Sequence, residues 1–127
     1  MRDPILIAGA GIGGLTAALA LLRRGHAVQV FEQASQLGEV GAGLQLSANA
    51  TRALHLLGLE RALSDVAVEP AGKEIRLWST GQTWKLFDLG DASVAEYGYP
   101  YYTLYRPDLH RVLVDAIRSI APEARSE

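Results

Sequence analysis

Three glycines near the start of the chain restrict its fold more than any other feature. Gly9, Gly11 and Gly14 follow the spacing G-x-G-x-x-G, directly after the apolar run 5–8 and before a largely apolar stretch that reaches Leu22. The run predicts a buried strand of a parallel sheet, and leucines and alanines at helical spacing predict a helix. The first glycine then permits the tight turn, the second lets a phosphate approach the backbone, and the third lets the helix pack closely on the strand.

A second predicted strand, 27–32, completes a β-α-β unit and ends in Glu32. A carboxylate at this place accepts ribose hydroxyls, whereas an arginine would be expected beside a 2′-phosphate. The phosphates would lie at the helix N-terminus, where free N–H groups and the helix dipole favour anions. The unit therefore predicts a dinucleotide site that does not prefer NADP, formed by Gly9, Gly11, Gly14 and Glu32.

The rest of the chain predicts helices and antiparallel strands around this unit. A glycine-rich loop covers 38–43, strands at 74–79 and 83–89 form a hairpin, and glycines and a proline mark 90–100 as a mobile loop. The fold class is α/β, a partial Rossmann-like domain with parallel strands and a small antiparallel β segment. We divide it into a β-α-β unit with loop and helix over 1–70, a β segment over 71–105 and a helix over 106–121.

Composition excludes several kinds of function. A chain of 127 residues with 49% hydrophobic residues and a net charge of −2 is typical of one soluble domain without a nucleic-acid partner. The glycines in the apolar stretch argue against a membrane span, and we expect a cytoplasmic protein. Without cysteines, and with histidines that lack spaced partners, no metal site is predicted; His26, His55 and His110 are interpreted as structural.

Two further segments make the chain resemble a known family. The segment 41–54, GAGLQLSANATRAL, is similar to the "GAGIQLSPNATR" stretch of the single-component FAD-dependent aromatic hydroxylases. The segment 105–113, YRPDLHRVL, resembles their "HRADLHRxL" stretch, with Tyr105 where the family commonly has His. Both follow the glycine motif in the family's order, and the most similar branch acts on salicylate and hydroxybenzoates.

The resemblance implies a role for each matching residue. Gly9, Gly11, Gly13 and Gly14 would lie along the FAD pyrophosphate, and Glu32 would bind the adenosine ribose. Gln33 is assigned to the same site, although the family often has Arg or Lys there. Gly41, Ala42 and Gly43 would pass beside the flavin, and Arg106 would reach FAD from the start of its helix. No catalytic residue is assigned, because the tyrosines at 97, 99, 101, 102 and 105 are explained equally well by packing and Asp108 by the helix dipole.

The resemblance also implies the reaction. In the family NAD(P)H visits transiently to reduce the flavin, and the reduced flavin uses O2 to hydroxylate an electron-rich ring such as a phenolic acid. Two alternatives stay open: an FAD-binding oxidoreductase of another type, and a catalytically incompetent FAD-binding fragment.

The length suggests an incomplete domain. Family members are much longer, and their later "DG" and "GDAAH" segments are absent; GDAS at 90–93 precedes the Arg106 helix and is interpreted as an ordinary loop. No further strand follows in 122–127, so we expect the N-terminal part of a hydroxylase, inactive alone. Its partners would be a small aromatic substrate, O2, and the remainder of its polypeptide or a self-associated copy.

Overall fold

The structure, a computed structural model, describes residues 3–38 and 40–122. The expectation about 122–127 falls almost wholly outside these ranges. In chain order the elements are β1 (Ile5–Ala8), α1 (Ile12–Arg23), β2 (Val28–Phe31), β3 (Gly43–Leu46), α2 (Ala48–Leu56), α3 (Glu60–Ser64), β4 (Gly72–Arg76), β5 (Thr83–Asp88), α4 (Asp91–Tyr97), β6 (Tyr102–Tyr105) and α5 (Arg106–Ile120).

The first three elements form the predicted parallel crossover unit. β1 pairs with β2 in parallel, from Ile5 opposite Val28 to Ala8 opposite Phe31. α1 connects them and ends where Gly25, with a φ of +80°, turns the chain into β2. The mixed α/β fold predicted from the glycine motif is confirmed, and the unit brings the carboxyl ends of both strands to one edge.

The segment 71–105 is not a single β segment, contrary to the expectation. β4 and β5 form the predicted antiparallel hairpin, but β6 leaves it and pairs antiparallel with β3. Tyr102 and Leu104, two residues apart on β6, are both buried, because alternate side chains of a strand share one face. Pairing with β3 lets these two side chains pack in the core.

The expected loop at 90–100 contains a helix, so this expectation is wrong for residues 91–97. Gly90 and Gly98, with φ values of +60° and +77°, bound α4 instead of marking a loop. The side chain of Ser93 is buried and donates to the carbonyl of Tyr99 at 3.2 Å, which closes the segment onto itself. Its mobility stays a prediction.

The core lies mainly between the first and last helices. Leu15 and Leu19 of α1 are buried together with Leu109 and Leu113 of α5. The apolar residues of α5 recur at helical spacing, so one face of α5 covers the glycine end of α1. This packing brings residues about a hundred positions apart in the sequence beside the glycine loop.

Candidate functional site

The loop after β1 turns sharply because of its glycines. Gly9 has a φ of +100°, a backbone conformation that residues with a side chain rarely adopt. Its N–H donates to the carbonyl of Phe31 at 2.6 Å. Gly11 is the N-cap of α1 in an extended conformation. A Cβ on Gly14 would collide with the carbonyl oxygen of Gly9, so only glycine lets α1 begin this close to β1. The first helical N–H groups therefore open at the carboxyl edge of the sheet.

Glu32 follows β2 and folds back over this loop. Its carboxylate accepts from the N–H of Ala10 at 2.7 Å and from the N–H of Ala34 at 3.0 Å. These bonds to Ala34 and Ala10 lower the pKa of Glu32 below its ordinary value of 4.5, so the group is ionised at neutral pH. A carboxylate has about four acceptor positions, so it retains capacity for two hydroxyl donors.

The opposite side of the site is formed by the second glycine segment and the start of α5. The N–H of Arg106 donates to the carbonyl of Ala42 at 3.2 Å. The aliphatic part of the Arg106 side chain lies over Gly41, where a Cβ would stand 2.9 Å from Cδ. The glycine at 41 thus makes room for the arginine stem, and the two segments that carry the family resemblance contact each other.

These parts surround one open cavity of about 540 Å³. Of the residues predicted from the sequence, Gly11, Glu32, Gly41, Ala42, Gly43 and Arg106 line it. Among the residues that the structure describes, Gly9, Gly13 and Gly14 shape the turn behind the cavity without lining it. Gln33, which follows Glu32 in the sequence, is exposed and does not line the cavity. A cavity of this volume lies in the usual range for small-molecule sites, roughly 300–1,000 Å³.

His110 is a site residue that the sequence did not reveal. It is buried, with 5% of its surface exposed, and its Nε2 lies 2.8 Å from the carbonyl oxygen of Ala10. It also lines the cavity. A lone histidine on an amphipathic helix has no pattern that distinguishes it from packing; its position after Arg106 on the same helix was the available signal.

The other candidate residues lie away from this cavity. His26 occupies the turn after α1, and His55 packs edge-to-face on Tyr99 with ring centroids 5.7 Å apart. Tyr102 is buried in the core, where desolvation raises its pKa, while a hydrogen bond to Glu96 raises that of the exposed Tyr97. The aromatic run therefore does not share one surface.

Two negative findings apply to the ranges 3–38 and 40–122. Within them, His, Asp and Glu side chains nowhere gather in threes that could hold a metal ion. Within the same ranges, each helix is too short or too polar to cross a membrane.

Comparison with known proteins agrees with this geometry. A family model described as an NAD(P)-binding Rossmann-like domain matches residues 7–50. The 3-amino-4-hydroxybenzoate 2-monooxygenase PtmB3 of Streptomyces platensis is 42% identical over 116 residues, which are 91% of this chain and 29% of that protein. The FAD-dependent monooxygenase OpS4 of Beauveria bassiana is 31% identical over 129 residues, covering 99% of this chain and 30% of its own length.

The fold comparison points to the same group. The crystal structure of 2-methyl-3-hydroxypyridine-5-carboxylic acid oxygenase superposes with a TM-score of 0.79 at 30% identity, over 95% of this chain and 30% of that one. In sequence and fold the chain is similar to one part of these monooxygenases. It spans about 29% of the length of the curated relatives named first, so it carries one part of the family's fold. The resemblance read from residues 41–54 and 105–113 is confirmed.

Proposed function

We propose that this chain forms the adenosine-diphosphate end of an FAD site in an aromatic-ring monooxygenase. The observation that supports this most is the single cavity that joins Glu32, the backbone of Gly11 and the Gly41 segment, since these come from three separate parts of the sequence. Their chemistry fits FAD: amides suit phosphate, a carboxylate suits ribose hydroxyls, and a backbone without side chains suits a flat ring.

The charges favour one orientation of the nucleotide. Glu32 is ionised and repels phosphate, so the ribose occupies its end of the cavity and the pyrophosphate lies at the N-terminus of α1. Gly9, Gly13 and Gly14 act by shaping that turn, and Gln33 lies beside the adenosine. Arg106, at the first position of α5, contributes a cation on the side where the FAD molecule extends from its pyrophosphate toward its flavin ring.

The bound flavin would supply the redox chemistry, taking electrons from NAD(P)H and delivering an oxygen atom of O2 to the ring of a small phenolic acid. The residues of this chain bind and orient the cofactor; the aromatic substrate and the pyridine nucleotide are assigned from the relatives. PtmB3, for example, is named for a hydroxybenzoate that carries an amino group.

FAD titration followed by flavin fluorescence tests the binding site. We expect Glu32→Ala to weaken FAD binding about tenfold, since two hydrogen bonds to ribose hydroxyls are lost. Glu60→Ala is the matched control, because Glu60 is exposed on α3, outside the lining of this cavity, and should leave affinity unchanged. Equal affinities for both variants would contradict the ribose assignment.

Turnover measurements distinguish a hydroxylase from the two alternatives, an oxidoreductase of another type and a non-catalytic FAD-binding fragment. NADH and NADPH oxidation by the complete polypeptide, measured with a panel of hydroxybenzoates, should rise when a substrate is added and should yield hydroxylated product. Oxidation without stimulation by any aromatic acid would favour an oxidoreductase of another type. Tight FAD binding without oxidation would favour a non-catalytic module.

A further inference from the structure

The peptide groups around Ala10 are held from two sides by residues far away in the sequence. The N–H of Ala10 donates to Glu32, 22 positions away, and its carbonyl oxygen lies 2.8 Å from Nε2 of His110, 100 positions away. Ala10 is buried, with 3% of its surface exposed. Its carbonyl belongs to neither the sheet nor the helix, because Gly9 makes the last contact to β2 and Gly11 accepts the first bond of α1. His110 therefore faces a buried carbonyl that has no other donor among residues 3–38 and 40–122.

The contact with the carbonyl requires a proton on Nε2 of His110. A carbonyl oxygen only accepts, so the Nε2 facing it must carry a proton. The His110 ring is buried, and α5, which carries it, packs against α1 and cannot rotate freely. This packing directs the Nε2–H donor at Ala10. The bond is thus a fixed link between the last helix and the glycine loop.

The link has a consequence for the neighbouring amide. In a planar trans peptide the C=O and the following N–H point in opposite directions. With the Ala10 carbonyl fixed toward α5, the N–H of Gly11 points away from α5, at the N-terminus of α1. Gly11 lines the cavity, and within the described ranges its N–H has no acceptor. A free amide in a fixed direction is what a phosphate oxygen requires.

We propose that His110 is a positioning residue for the anion end of the site: by holding the Ala10 carbonyl, it orients the Gly11 N–H toward a diphosphate. This inference rests on the proposed nucleotide site and adds a residue to it. It predicts that His110 affects binding of the phosphates and leaves binding of the adenosine unchanged, because the ribose end depends on Glu32.

Two variants and two ligands test the proposal. His110→Met removes the donor and keeps an apolar side chain, whereas His110→Gln places an amide N–H at a position similar to Nε2. NMR titration of the full chain measures the affinities for ADP and for adenosine. We expect His110→Met to weaken ADP binding about tenfold and to change adenosine binding less than twofold. His110→Gln should bind ADP within about threefold of the wild type.

The outcomes separate this inference from the proposed function. Failure of the wild type to bind FAD and ADP would overturn the proposed function. Normal ADP binding by His110→Met, or equal losses for ADP and adenosine, would overturn the role of His110 alone. If His110→Met does not fold, a measurement on the wild type replaces it. Imidazole ¹⁵N spectra should show a proton on Nε2, and a neutral ring protonated only on Nδ1 would refute the link.

Discussion

Gly14 offers the sharpest test of how the glycine loop is built. A Cβ at this position would lie far inside 3.0 Å of the Gly9 carbonyl oxygen, 3.1 Å from the Gly9 carbonyl carbon and 3.4 Å from Cγ2 of Ile7. The obstacle is mainly backbone, which cannot rotate away as a flexible side chain can. To restore ordinary contact, α1 must withdraw from β1 by on the order of 1 Å.

That withdrawal disturbs the core as well as the loop. α1 carries Leu15 and Leu19 into the contact with α5, so a shift loosens packing that is buried on both sides. Overpacking of this kind costs about 2 kcal/mol or more. For a domain of this size we expect Gly14→Ala to lower the melting temperature by about 6 °C or more.

The neighbouring glycine provides a matched control. A Cβ on Gly13 would have nothing within 4 Å, and Gly13 lies on the same turn of α1. Alanine is the better helix former, so Gly13→Ala should leave stability unchanged or raise it by up to about 1 kcal/mol. Thermal and urea unfolding of both variants checks this. Equal melting temperatures for Gly13→Ala and Gly14→Ala would refute the close approach of helix and strand.

Three more predictions concern the site and its support. Glu32→Gln should be less stable than the wild type at neutral pH. The pKa of Glu32 is lowered in the folded state, so the wild type's extra stability is present above about pH 4.5 and disappears as the pH falls through the folded pKa. Urea unfolding of both proteins across pH 3–7 measures the difference in unfolding free energy. A difference that does not change with pH would contradict the hydrogen-bonded carboxylate. Gly41→Ala should displace the flexible Arg106 side chain and weaken FAD binding several-fold with little change in melting temperature. An FAD affinity equal to that of the wild type would contradict the contact. Thr51→Val should cost about 1 kcal/mol in urea unfolding, because the buried hydroxyl donates at 2.7 Å to a carbonyl of the loop before β6 and valine leaves that carbonyl unpaired; an unchanged unfolding midpoint would show that the bond contributes nothing.

The parts of the fold that the sequence predicts depend on local patterns. The strand before Gly9, the helix after Gly11 and the strand ending near Glu32 follow from glycine spacing and hydrophobic period, and the hairpin around Gly81 follows from its turn residues. The pairing of β3 with β6 was not predicted, because the partners are about sixty residues apart and either strand alone is compatible with several neighbours. Such a contact depends on how the core closes.

The candidate site divides in the same way. Gly11 and the Gly41 segment were predicted from motifs, and they line the cavity that the structure shows. The roles of the other assigned positions stay predictions. His110 was not found, since its importance comes from the docking of α5 against Ala10, which no short pattern encodes. α4 was missed because it lies between Gly90 and Gly98, and glycines at such spacing are also typical of a loop.

The packing of α1 against α5 has a consequence for how the protein is made. The glycine loop leaves the ribosome about a hundred residues before the helix that covers α1 and holds the Ala10 carbonyl. At ordinary translation speeds of roughly 5–20 residues per second, the nascent β-α-β unit waits on the order of 5–20 s with the apolar face of α1 uncovered. The glycine loop is therefore synthesised well before the helix that holds it, and it reaches its final shape only after that helix has docked. Substitutions that weaken α5 should lower the yield of folded protein before they alter the finished site.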